Sequence, residues 1–85
     1  MGDYAREVQI RNCVDYYCKS KGLKYTDDEM KQLRYMTDRY LAINKIDISN
    51  SINITNALRD QEKVFKVAKE IYGDDFSAWK KECYA

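Results

Sequence analysis

The chain has no histidine, no proline and three glycines. Without histidine it lacks the commonest general base and the commonest metal ligand. Glycines at positions 2, 22 and 73 are too far apart to form a loop that cradles phosphate, so P-loop and dinucleotide fingerprints are missing. An excess of one charge is missing too. Fifteen basic residues face fourteen acidic ones, for a net charge of +1, and the total charge encodes no strong attraction to nucleic acid or to an anionic membrane. No apolar run approaches the roughly 20 residues that span a bilayer. The first residues contain no apolar core of a secretory signal, and Arg6 stands where a myristoylation motif wants Ser or Thr. Three cysteines, an odd number, fit a reducing compartment better than a disulfide framework. The expectation is a soluble, cytoplasmic protein without membrane association, cofactor or metal.

What the chain does have is apolar and aromatic matter. Of its 85 residues, 45% are hydrophobic and 13% aromatic, enough for one small globular domain over 1–85. Ile10, Cys13, Val14, Tyr17 and Cys18 recur at helical spacing, with Asp3 as the expected N-cap and Gly22 as the left-handed residue past the C-terminus. Thr26-Asp27-Asp28-Glu29 has the form of a capping box. It should open a second helix from Asp27 to about Ile43, with Met30, Leu33, Met36, Tyr40, Leu41 and Ile43 inward. A third helix is expected from Asn56 or a little earlier to Gly73, burying Leu58, Val64, Phe65, Val67, Ala68, Ile71 and Tyr72. Asp74 or Asp75 would cap a short fourth, with Phe76, Trp79 and Cys83 as its apolar stripe. The fold class predicted is therefore all-α, a small four-helix domain.

Residues 45–54 are the exception. Ile46, Ile48, Ile52 and Ile54 alternate with polar residues about Ser49-Asn50-Ser51, which is a hairpin pattern. The alternative, preferred because two lone short strands are marginal, is a helical turn over Ile46 to Ile48 with Ser51 or Asn53 capping the next helix. Asp47, Ser49, Ser51 and Asn53 share the oxygen spacing that opens an EF-hand loop. Ile52 occupies the position that needs glycine and Leu58 the position that needs glutamate, so calcium is rejected.

Catalytic chemistry finds no obvious seat. Cys13 and Cys18 lie about 140° apart around a helix and cannot chelate one metal together. The acids at 27–29 and 74–75 fall where helix N-termini favour negative charge. The protein is expected not to be an enzyme. Eight tyrosines, by contrast, exceed what so small a core can use. Tyr16, Tyr25 and Tyr35, with Arg34, lie off or at the edge of the apolar stripes, and Tyr and Arg are the residues that enrich protein interfaces. The function expected is a non-enzymatic module that binds a protein partner through this Tyr/Arg-rich helical surface. The small size and the Asn-, Ile-, Lys- and Tyr-rich composition are similar to those of phage or mobile-element accessory proteins, inhibitors of host systems among them.

An alternative comes from Leu41 to Ser49 followed by Asn53-Ile54-Thr55-Asn56-Ala57-Leu58. This stretch resembles the turn and recognition helix of lambda-repressor-like and LacI-like DNA-binding domains, although Asp47 stands where their turn glycine is usual. The resemblance covers about a fifth of the chain. It implies a sequence-specific DNA-binding domain, acting as a dimer, in which Asn50, Ser51, Asn53, Thr55, Asn56 and Arg59 face the major groove. Lys24, Lys45 and Lys63 would then contact phosphates.

Overall fold

A computed structural model describes residues 2–73 and 75, with side chains from residue 5. Three α-helices, and no strand, occur among the described residues: α1 (Gly2–Ser20), α2 (Asp27–Ile43) and α3 (Ser51–Tyr72). The all-α class agrees with expectation, while the count is three rather than four. The fourth helix expected about Phe76, Trp79 and Cys83 lies outside the described residues.

The ends of these helices follow from local chemistry. α1 stops in a Schellman motif: Leu23 N–H donates to the Cys18 carbonyl at 2.9 Å and Gly22 N–H to the Lys19 carbonyl at 3.2 Å, with Gly22 at φ +67°. Asp3 is not a cap, because the helix already includes Gly2. At the start of α2, Thr26 Oγ1 accepts from Glu29 N–H while the Glu29 carboxylate accepts from Thr26 N–H, the capping box in both directions. α2 ends as α1 does. Ile46 N–H donates to the Leu41 carbonyl at 3.0 Å and Lys45 N–H to the Ala42 carbonyl at 3.2 Å. Here a lysine, Lys45, takes the left-handed position at φ +52°.

Residues 46–50 are neither hairpin nor helical turn. The Asp47 carboxylate folds over its own chain, accepting from Ser49 N–H at 3.0 Å and from Ser49 Oγ at 2.8 Å, the bonding of an Asx-turn. Asn50, not Ser51 or Asn53, caps α3 through its side-chain oxygen and Ile52 N–H at 3.0 Å. Asn53 Nδ2 donates back to the Asp47 carbonyl at 2.9 Å, and Gln9 Nε2 on α1 to the Ile48 carbonyl. These side-chain bonds, all local but that of Gln9, meet several of the segment's backbone groups without a strand partner. Ile46 and Ile48 close the end of the core and Ile54 is fully buried, while Ile52 is 63% exposed.

The core draws Ile10, Val14, Tyr17 and Cys18 from α1, Leu33, Met36 and Leu41 from α2, and Ile54, Ala57, Leu58, Phe65 and Ala68 from α3. Two expectations are corrected. Ile43 lies at the last turn of α2 and is exposed, as are Val64, Val67 and Ile71. α3 starts at Ser51, and it buries Leu58, Phe65 and Ala68 as expected, but its inward face is shifted to include Gln61 and Glu62 in place of Val64, Val67 and Ile71. Glu62 can be buried there because two phenols meet it: Tyr17 Oη donates to Oε1 at 3.0 Å and Tyr25 Oη to Oε2 at 2.9 Å.

Candidate functional site

The inward faces of α1 and α2 meet in the core, and their adjoining polar flanks leave a groove. On α2, Lys31, Arg34, Tyr35, Asp38, Arg39 and Ala42 follow i, i+3, i+4, i+7, i+8, i+11, one continuous strip beside the buried strip. On α1, Arg6, Glu7, Ile10 and Arg11 form the opposite wall. The groove is half open to solvent and has a volume of about 470 Å³. Five cations line it against two carboxylates, so a nearly neutral chain carries a locally positive concavity.

The charges differ in how they are engaged. Arg6 Nε donates to Asp38 Oδ1 at 2.6 Å and its Nη2 to the Asp38 carbonyl, which locks α1 to α2 across the groove. Arg34 lies 4.0 Å from Asp15 Oδ1 on α1, a long and partly exposed pair. Arg11, Lys31 and Arg39 form no ion pair among the described residues. Arg39 Nε is shielded from water yet has no hydrogen-bond acceptor among the described residues. That is an unusual state for a guanidinium N–H, whose desolvation is otherwise uncompensated.

The interaction residues expected from sequence separate in the structure. Arg34 and Tyr35 line the groove. Tyr16 is 76% exposed on α1 and is not part of the groove wall. Tyr25 turns inward, its ring 5.3 Å from that of Phe65 and its hydroxyl on Glu62. Arg6, Arg11, Lys31 and Arg39 escaped sequence reasoning, which followed apolar stripes. The helical spacing of the charged strip on α2 was the available signal.

The residues of the DNA-reading alternative also divide. Asn50 and Asn53 are used by the joint, as cap and tie. Thr55 Oγ1 donates to the Ser51 carbonyl at 3.2 Å within α3. Ser51, Asn56 and Arg59 have exposed side chains.

Elsewhere, burial pushes the Cys13 and Cys18 thiols up, which works against thiolate chemistry. Among the described residues no three His, Cys, Asp or Glu side chains are grouped to hold a metal ion, and no helix is long and apolar enough to cross a membrane. A second, apolar patch lies on α3, where Val64, Val67 and Ile71 face solvent beside Lys63 and Tyr72. Compared with protein-family models, curated proteins and solved structures, the chain matches none of them.

Proposed function

We propose that the protein is a non-enzymatic binding module that engages a protein partner through the groove between α1 and α2. The observation that carries this reading is the convergence of Arg34 and Tyr35 with Arg11, Lys31 and Arg39 on one concave surface. Arginine and tyrosine supply most of the energy of many protein interfaces, and a concave seat lets their contacts become desolvated. Arg6 and Asp38 fix the spacing of the two walls, so little ordering would be required on binding.

The test is capture of partners from the native host, identified by mass spectrometry, with the wild-type chain and with Arg34→Glu/Tyr35→Ala. The double variant should lose the partner while its circular dichroism and melting remain those of a folded domain. Retention of the partner by the folded variant would refute the reading. The same preparations, titrated with duplex DNA at two salt concentrations, address the alternative. Duplex binding with a salt slope, lost on substituting Asn56 and Arg59 but not Arg34 and Tyr35, would favour a DNA-binding domain acting through α3.

A further inference from the structure

We infer that the occupant of the α1–α2 groove is an acidic, partly apolar polypeptide segment, whose carboxylates pair with Arg39, Arg11 and Lys31. This rests on the reading of the groove as the interaction surface and adds the chemistry of what it takes.

Three observations point to carboxylates. The pairing between Arg6 and Asp38 is internal, and Arg34 already leans toward Asp15. The cations left without an ionic partner among the described residues are therefore Arg11, Lys31 and Arg39, from both walls, against one such carboxylate, Glu7. Arg39 adds a directional requirement, since its Nε is hidden from water and lacks an acceptor among the described residues. A carboxylate entering the groove supplies that acceptor, and the planar fork of a guanidinium matches a carboxylate with two parallel hydrogen bonds.

Other features favour a polypeptide over a nucleic acid. Asp38 is met by Arg6, but Glu7 stands among the cations without an ionic partner among the described residues, and a continuous row of phosphates would be forced against it. A peptide can place its carboxylates at separate points and leave the position beside Glu7 to a neutral or basic residue. The walls are also partly apolar, with the half-buried Tyr35 beside the cations and the exposed Ala42 at the end of the strip. A cavity of about 470 Å³ admits a few side chains rather than a duplex. A net charge of +1 likewise supplies little of the general attraction on which phosphate-backbone binding depends.

The probe is a synthetic peptide of interspersed Glu and Leu, titrated into the full-length chain by calorimetry and by amide NMR. Its Lys-for-Glu counterpart and a mixed-sequence duplex serve as competitors. The acidic peptide should bind, with shifted amides concentrated in residues 6–11 and 31–42, and its affinity should fall as salt rises. Arg11→Glu/Lys31→Glu changes two exposed side chains and should weaken binding at least roughly tenfold without altering the melting curve. Arg39→Gln, which keeps an amide donor but loses the charge, should weaken it as well. Equal binding of the acidic and basic peptides, no binding of either, or wild-type affinity in the Arg11/Lys31 variant would overturn the inference. So would displacement of the acidic peptide from these residues by the duplex. If Arg34→Glu/Tyr35→Ala abolishes partner capture while the acidic peptide fails to bind, the interaction surface stands and the acidic occupant falls.

Discussion

At the scale of single residues, Glu62 shows how a charged side chain comes to lie in the middle of so small a core. Its carboxylate accepts from Tyr17 and Tyr25 and has Lys66 at 3.9 Å, one turn further along α3. The two phenols feel the arrangement in return. Burial pushes the Tyr17 hydroxyl up to about 12, and the hydrogen bond to Glu62 adds to the shift. Tyr25 is raised further by the same causes in the same order. A folded-state pKa above the unfolded value near 10 means that the native state holds its phenolic protons after the unfolded chain has released them. The resulting stabilisation is complete below about pH 10 and is lost as pH rises through about 12. Alkaline unfolding should therefore coincide with ionisation of Tyr17 and Tyr25, followed by their ring NMR resonances beside circular dichroism. Glu62→Gln should bring both ionisations to lower pH, and only partly, because burial is the larger cause. Unchanged ionisation in that variant would mean that Glu62 contributes nothing to holding the phenolic protons.

At the scale of elements, what was legible in the sequence was whatever is decided within a few residues. Gly22 and the Thr26–Glu29 capping box mark true helix boundaries because their hydrogen bonds are local. The inward face of α3 was legible only in part: Leu58, Phe65 and Ala68 are buried as their spacing indicates. Val64, Val67 and Ile71 are apolar yet outside, whereas Gln61 and Glu62 are inside, and the partners that permit this, Tyr17 and Tyr25, lie 45 and 37 residues away from Glu62. The groove was half legible for the same reason. Arg34 and Tyr35 stood out as surplus, but Arg6 and Arg11 join them only when α1 packs on α2. The end of α2 was hidden differently, since Lys45 does what Gly22 does at the end of α1. A β-carbon in the left-handed region costs about 1–2 kcal/mol, offset in part by the greater unfolded-state freedom of glycine. Lys45→Gly should accordingly raise stability by about 0.5–1 kcal/mol in urea denaturation. A loss of stability would show that the lysine side chain itself holds the turn.

At the scale of the whole molecule, the core and the groove draw mostly on different residues. The core is shared by all three helices, with Phe65 fully buried in it and its ring tilted 59° against Tyr25. The groove is lined by the mostly charged flanks of α1 and α2, with Ile10 common to it and to the core. A domain of 85 residues has about 4–13 kcal/mol of total stability, and truncating a buried phenylalanine costs about 3–5 kcal/mol. Phe65→Ala should thus consume a large fraction of the fold's stability, seen as a sharp fall in the urea midpoint. Arg11→Glu/Lys31→Glu removes no buried contact and should stay within about 0.5 kcal/mol of wild type. The contrast is the point of the measurement. If the charge-reversed variant unfolded as readily as Phe65→Ala, the basic walls would be part of what holds α1 to α2, and loss of binding in that variant could not be assigned to the groove. If Phe65→Ala cost less than about 1 kcal/mol, the three helices would be collapsing around the gap, and the spacing that Arg6 and Asp38 set between the groove walls would have to come from that ion pair alone.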